Sequence, residues 1–423
     1  MIIFYVISFL IIYIQVFYLV TFFENRKDIL IRSDGNKLIL KNYPTVTIIV
    51  PCYNEEKDIC LTIDSLIKLN YPRSKLKIFV VDDGSKDGTW KVLQKYNSNP
   101  LVKLFKKENG GKHTALNFGI EKNDSEFIGC LDSDSSVHPE ALKRIITFFN
   151  NNKETMAVAS SILVREPKNI IQYAQQAEFD MNHYMKKMLG FLKGINVTPG
   201  PFSIFRREVF DKIGLYRKAH NTEDQEIALR MHTHGLAIDH CPDAYVYAGS
   251  PNSVPKLYRQ RVRWTLGFIR NSLDYKGLFF RPKFGTVGMF TLPSGFIPIL
   301  GTIFLLLYYI DSLLNFISNK VLQLNATGFY SMFNGNIHFS LFYINTNVFL
   351  FISLLLYAFI IVSLILGRKM VYGRKVFSVD ILLFIIIYFF LSPIWLLKSV
   401  WDAIRSRETN WVKERDYSLN TPV

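Results

Sequence analysis

Three observations predict an α/β domain with a mostly parallel sheet and helices on both faces, joined to transmembrane and interfacial helices. First, strand-like and helix-like segments alternate from residue 41 to residue 251. Second, four stretches are nearly free of charge: 1–23 and those near 286–310, 342–366 and 379–397. Each is long enough to cross a bilayer, since about 20 helical residues span roughly 30 Å of hydrocarbon. Third, residues 254–278 mix Lys256, Arg259, Arg261, Arg263 and Arg270 with Leu257, Tyr258, Val262, Trp264, Leu266 and Phe268. That composition suits a helix in the membrane interface, with aromatics buried and arginines at the headgroups.

Taken in order, residues 1–23 carry no charge. No basic segment precedes this run and no small-x-small site follows it. Glu24-Asn25-Arg26-Lys27 follows instead, so a retained anchor is expected. A β-branched strand over 45–50 is ended by Pro51. A helix over 57–69, a strand over 76–81, a helix over 87–96, a strand over 101–106, a helix over 112–120 and a strand over 127–131 follow. A further helix covers 225–234. The expected organisation is an N-terminal transmembrane helix (1–23), a cytosolic α/β domain (41–251), interfacial amphipathic helices (252–283), a transmembrane region (284–400) and a C-terminal tail (401–423).

The formal net charge is +15. Basic residues crowd the flanks of the apolar runs (Arg368, Lys369, Arg374, Lys375), as in cytoplasmic loops. No basic run interleaves with aromatics outside the membrane segments, which argues against nucleic acid. Cys52, Cys60, Cys130 and Cys241 form no C-x-x-C pair and read as reduced thiols on a cytosolic face. If the first segment enters the cytosol, three later spans leave the C-terminus outside. Lys398, Arg405, Arg407, Lys413 and Arg415 favour the cytosol. A C-terminal segment that is interfacial or re-entrant would reconcile the two. Of three Asn-x-Ser/Thr sequons, those at Asn123 and Asn196 fall in the cytosolic domain, whereas Asn325 falls in an expected external loop.

The chemistry lies at strand ends. Parallel sheets bind ligands there, and two acidic pairs, Asp82-Asp83 and Asp132/Asp134, follow the strands at 76–81 and 127–131. Asp132 and Asp134, two apart at an extended end, project to one side and suit hard Mg²⁺ or Mn²⁺. Asp82-Asp83-Gly84-Ser85 reads either as acceptors for a ribose or uracil or as a turn with a helix cap. Cys52-Tyr53-Asn54-Glu55 ends the first strand in the same way. Asn109-Gly110-Gly111-Lys112 precedes a helix, where glycines let backbone approach phosphates. Thr222-Glu223-Asp224 opens a helix: Thr222 reads as its cap, and Asp224 as a general base for a sugar hydroxyl. With one candidate base and no carboxylate nucleophile beside it, single displacement with inversion is expected. His232, His234, His240 and Cys241 match no usual zinc spacing.

These motifs resemble those of the membrane-embedded family 2 glycosyltransferases, among them cellulose, chitin, hyaluronan and poly-N-acetylglucosamine synthases. The resemblance covers residues 41–275 by motif and the rest by hydropathy. It implies a GT-A-like nucleotide-diphospho-sugar transferase fold. It also implies that the second Asp of D-D-G-S, Asp83, contacts uridine, and that the D-x-D pair, Asp132 and Asp134, binds Mg²⁺ or Mn²⁺. The base of T/G-E-D is Asp224, with Glu223 beside it on the acceptor side. Gln260, Arg263 and Trp264 form Q-x-x-R-W, which holds the diphosphate and stacks the acceptor sugar. Lys112 falls in a Gly-Lys-x-x-Ala-Leu-Asn segment, and Tyr53 and Glu55 join the donor side. Thr198-Pro199-Gly200-Pro201-Phe202 occupies the place of an acceptor-side loop that often reads Ser-Gly or Cys-Gly, with Gly200 as its glycine, and its prolines depart from that pattern. The implied activity is inverting, processive transfer of a hexose or N-acetylhexosamine from a UDP-sugar to a growing polysaccharide at the membrane. The alternative is transfer of a single sugar to a lipid-linked acceptor.

Overall fold

The computed structural model describes residues 2–30, 40, 42–328, 348–373 and 377–405. Residues 342–347 of the expected run at 342–366, the flanking Arg374 and Lys375, and the tail residues Arg407, Lys413 and Arg415 lie outside the described residues.

An eight-stranded sheet has the order β3-β2-β1-β4-β7-β6-β8-β5. Its strands are β1 (Val46–Cys52), β2 (Leu76–Asp82), β3 (Val102–Lys106), β4 (Phe127–Cys130), β5 (Ser135–Val137), β6 (Thr155–Val164), β7 (Ser203–Arg206) and β8 (Ala237–Ala248). The half built from β1 to β4 is parallel, as is β6 against β8. β7 runs antiparallel to β4 and β6, and β5 antiparallel to β8. Every residue of β1 is buried, the continuous apolar run expected of a central parallel strand. Pro51 does not end that strand. It sits within β1, in register with Val81, and β4 pairs with β1 only as far as Ile49. Its missing N–H therefore falls beyond the ladder on that side.

The two faces carry separate cores. Ile48 and Val50 pack with Ile59, Ile63 and Leu66 of α3 (Ile59–Ile67) and with Leu142, Ile145 and Phe149 of α6 (Ala141–Asn151). Ile49, on the other side of the pleat, packs with Leu116 of α5 (Lys112–Glu121), Val209 of α8 (Arg207–Ile213) and Ile227 of α9 (Glu223–Thr233). The helix expected over 87–96 is shorter: α4 (Thr89–Leu93) passes into a 3₁₀ turn at Gln94–Tyr96.

Among the described residues, four helices are long and apolar enough to cross a membrane. They are α1 (Ile2–Glu24), which a short α2 (Arg26–Leu30) follows, α11 (Leu292–Thr327), α12 (Val348–Tyr372) and α13 (Val379–Ile404). Asn325 lies in the last turn of α11 rather than in a loop. Two further helices join these four to the sheet: α7 (Ile170–Phe191) and α10 (Val254–Asp274).

The apolar helices differ in exposure. α11 exposes Leu307, Tyr308, Tyr309 and Ile310 in succession, so all its sides are bare there. α13 is one-sided. Its exposed residues include Val379, Leu382, Ile386, Phe389 and Ile394, whereas Ile381, Phe384, Trp395 and Ser399 are buried, so one side packs on the protein and the other, equally apolar, is left uncovered. Ile381 and Phe384 pack with Ala174 and Ala177 of α7, and Ser399 Oγ donates to Val262 O of α10 (3.3 Å). Arg270 of α10 donates to Asp402 O (3.3 Å).

Arg368 departs from the expected basic flank. It is 4% exposed and its Nε donates to Asp180 of α7 at 2.8 Å, with Asp380 at its other end. A Cβ on Gly367 would fall 1.8 Å from Asp180 O, so α12 and α7 meet backbone to backbone there.

Candidate active site

A cleft of about 480 Å³ opens at the carboxyl ends of β1, β2 and β4, where such sheets place ligands. Nine of the residues singled out in the sequence line it: Tyr53, Glu55, Asp83, Lys112, Asp132, Asp134, Glu223, Gln260 and Arg263. Asp224, Gly200 and Trp264 lie next to lining residues without lining the cleft themselves.

Lys112, the first residue of α5, joins the motifs. Its Nζ pairs with Asp132 at 2.8 Å and with Glu223 at 2.9 Å. Burial works against its charge, but Asp132, Glu223 and Asp224 outweigh burial and hold its pKa well above the ordinary lysine range. Burial likewise opposes charge on Glu223, yet Lys112 holds it below the usual glutamate range. Asp224 goes the other way: burial, then the charge of Glu223, raise it to about 6. Burial, then Asp132, raise Asp134 to about 6 as well.

Asp83 is 2% exposed and already well bonded. Its carboxylate accepts from Gly110 N–H (3.1 Å), Gly111 N–H (2.7 Å) and Lys107 Nζ (2.6 Å). The anion at the mouth of α5 is therefore Asp83 itself, which uses the two glycine amides that the sequence offered to phosphates. Gly111, at φ 92°, adopts a backbone that glycine favours. Asn54, Phe202, His220 and Asn221 also have positive φ without being glycine. Each belongs to or precedes a site motif, and such strain gathers at functional sites.

Thr222 does not cap α9 with its side chain. Its hydroxyl donates to Ala219 O (3.2 Å) and accepts from Asn271 Nδ2 of α10 (2.8 Å). A Cβ on Gly267 would lie 2.3 Å from Thr222 Oγ1. Thr222 thus docks α10 against the start of α9. The expected acceptor-side loop is tied to the same point, since Thr198 donates to Asp224 O through its N–H (3.2 Å) and hydroxyl (3.0 Å). Gly200 faces the carboxylate pair: its Cβ would fall 2.6 Å from Asp132 Oδ1 and 2.7 Å from Lys112 Nζ.

On α10, Gln260 and Arg263 line the cleft. The expectation of outward arginines and buried aromatics fails at two positions. Arg261 is 4% exposed, and Trp264 is 37% exposed. A half-buried carboxylate, Glu178 of α7, draws Arg261 inward. Sequence reasoning also missed Asp58, Arg165, Lys168 and Lys256 in the lining. Arg165 donates to Asp134 O (3.2 Å) and Asp58 Oδ1 (3.2 Å), bracing the second acid of the D-x-D pair. Arg165 and Lys168 closely follow β6 and obey the same strand-end rule as the acids. Behind Asp224 stands Lys186 of α7, drawn down to about 8 by burial, with Asp224 opposing.

Among the described residues no group of three His, Cys, Asp or Glu side chains could hold a metal. Asp132 and Asp134 fit a cation completed by substrate oxygens. Mg²⁺ commonly uses one or two carboxylates and substrate phosphates. Both acids also face a glycine, Asp132 at Gly200 and Asp134 at Gly249, which keeps side chains out of the space beside them.

A cleft lined by paired acids at the strand ends of this mixed sheet defines a GT-A-like nucleotide-sugar transferase fold. Residues 47–214 match the model for Glycosyl transferase family 2, and the chain carries a domain of that family. Poly-beta-1,6-N-acetyl-D-glucosamine synthases of Staphylococcus epidermidis and of Staphylococcus aureus (strain COL) are each 28% identical over 224 residues, 52% of this chain and 54% of theirs. The chain thus spans about half the length of the curated relatives it matches. A mannosyltransferase from Pyrobaculum calidifontis, solved with GDP-Man and Mn²⁺, shares the fold with a TM-score of 0.58 at 17% identity, over 95% of this chain and 99% of its own.

Proposed function

We propose that the protein transfers N-acetylglucosamine or a related hexose from a UDP-sugar to a growing polysaccharide, with inversion at the anomeric carbon. The observation that carries this reading is the convergence on one cleft of D-x-D, T-E-D and Q-x-x-R-W residues, joined through Lys112. The polysaccharide product is supported by the staphylococcal relatives.

The acceptor hydroxyl attacks C1 while Asp224 takes its proton, and the bond from C1 to the diphosphate breaks. Asp224 suits the role because a base with a pKa near 6 is ionised at neutral pH and still accepts a proton readily. Negative charge gathers on the leaving diphosphate, and Lys112, Arg263 and Gln260 stand along the cleft to receive it. A Mg²⁺ or Mn²⁺ held by Asp132 and Asp134 would neutralise part of that charge. Tyr53, Glu55 and Asp83 shape the nucleoside end, and Glu223, Gly200 and Trp264 the acceptor end.

The domain faces the cytosol, where sugar nucleotides are made, and the chain crosses the membrane three times, through α1, α11 and α12. α13 lies in the interface. Its contacts to α7 and α10 run from Ile381 to Asp402, about 32 Å of helix, and both partners carry buried charges unsuited to the bilayer centre. This returns the C-terminus to the cytosol, in keeping with Lys398 and Arg405. A single-sugar transfer to a lipid-linked acceptor is the second reading. It is favoured by the exposed side chains of α11 over 307–310, which among the described residues face outward rather than line an enclosed path.

The decisive experiment incubates membranes containing the protein with radiolabelled UDP-N-acetylglucosamine, UDP-glucose and GDP-mannose, and separates polymer from lipid extract. Polymer formed from a UDP-sugar supports the first reading. Label confined to lipid selects the second, and use of GDP-mannose alone overturns the donor assignment.

A further inference from the structure

The residue between Gln260 and Arg263 that sequence reasoning placed among the headgroups has a different environment. Arg261 is 4% exposed. Its Nη2 donates to Glu178 of α7 and to Tyr388 Oη of α13 (3.1 Å). Tyr388 in turn donates to Glu178 Oε2 at 2.6 Å. The guanidinium lies 4.3 Å from the centroid of the Trp264 ring. One plate thus touches three helices and one face of the indole. Arginine is suited to this: its planar fork bonds a carboxylate and a hydroxyl while its face stacks on an aromatic. Trp264 remains 37% exposed, so the indole turns its free side outward next to the cleft-lining Arg263.

We propose that Arg261, held by Glu178 and Tyr388, is a positioning residue that fixes the back of Trp264 and so sets the platform on which the acceptor sugar stacks. The inference rests on the reading of Trp264 as that platform. A sugar ring stacks through its axial C–H bonds on one π face and needs an indole that does not turn. The guanidinium covers the opposite face and blocks the rotation. Tyr388 has no place in the donor cleft, yet it connects α13 to acceptor binding through this contact. A Glu178–Arg261 pair serving only to dock α7 on α10 needs neither the tyrosine hydroxyl nor the ring contact.

The test uses the full chain in lipid nanodiscs with UDP-N-acetylglucosamine, normalised to folded protein. Transfer to acceptor and the KM for donor are measured for wild type, Tyr388→Phe, Arg261→Lys, Trp264→Ala and the double variant Tyr388→Phe/Trp264→Ala. Tyr388→Phe keeps shape and packing, so it separates the proposal from misfolding. The expected result is a fall of about tenfold in kcat for Tyr388→Phe and Arg261→Lys, with donor KM within about twofold. In the Trp264→Ala background the tyrosine change adds about nothing, because residues acting through one contact are not additive. A Tyr388→Phe loss of equal size in both backgrounds, or no loss in the wild-type background, overturns the proposal. Normal transfer by Trp264→Ala removes the platform itself, a separate failure visible before the double variant is read.

Discussion

Replacing Gly200 with alanine adds one methyl group at a place where the structure gives its consequence in distances. The new Cβ would stand 2.6 and 2.7 Å from the two carboxylate oxygens of Asp132 and 2.7 Å from Lys112 Nζ. An ordinary contact needs about 3.4 Å or more, so both side chains must retreat by roughly 0.7 Å. They are the ends of movable side chains, and Gly200 does not have the positive φ that alanine would resist, so the fold tolerates the change. The site does not. The Lys112–Asp132 contact at 2.8 Å is the one that must open, and a misplacement near 1 Å at reacting groups costs about 10²-fold in rate. Gly200→Ala should therefore lower kcat by about 10- to 100-fold and move the melting temperature by no more than about 2 °C. Radiolabel transfer and thermal unfolding in detergent read the two. Wild-type turnover in a folded Gly200→Ala protein would refute the reasoning, because the acids and the lysine would then not need their present spacing.

Asp224→Asn should lose at least about 10²-fold in turnover with UDP binding preserved. Wild-type kcat/KM should fall as pH drops through about 6, where Asp224 takes up a proton. The stability effect has the opposite sign. A carboxyl raised from about 4 in the unfolded chain is better accommodated protonated, so Asp224 and Asp134 cost stability as pH rises through about 6. A pH series of unfolding midpoints in both variants, Asp224→Asn and Asp134→Asn, should show a flatter slope between pH 4 and 6. EDTA should abolish transfer and Mn²⁺ or Mg²⁺ restore it, with Asp134→Ala resisting rescue; full activity without divalent metal would remove the D-x-D assignment. Asp180→Ala removes the 2.8 Å partner of buried Arg368 and leaves it Asp380 alone as a carboxylate, and should destabilise by about 1.5–3 kcal/mol in an unfolding titration.

The parallel half of the sheet was legible because its strands are local, apolar and bounded by turn residues. Strand-end placement alone points to Asp83, Asp132 and Asp134, which line the cleft. What failed was whatever depended on a distant partner. Pro51 looked like a strand end because its register against β4 is invisible in one sequence. Thr222 has every local property of a cap, but Asn271, forty-nine residues on, takes its hydroxyl. The Gly110 and Gly111 amides were suited to phosphate, and only the fold brings Asp83 to them first.

The largest omission was α7. Its 22 residues hold no recognised motif, yet Glu178 receives Arg261, Asp180 receives Arg368, and Lys186 faces Asp224. Arg261, which composition assigned to lipid headgroups, and Arg368, which it assigned to a cytoplasmic flank, are the charges that fasten α10 and α12 to this one helix. A basic residue beside an apolar run is open to both fates, and one sequence cannot choose between them, because the choice lies with a carboxylate far along the chain. The pairing has a consequence for the chemistry. The cleft takes one wall from strand ends and another from α10, and α10 is located by Thr222 at one contact and Glu178 at another. The two walls of the cleft therefore share a frame that includes the apolar helices, and on the proposed reading a change at Tyr388 reaches the site without touching a sugar.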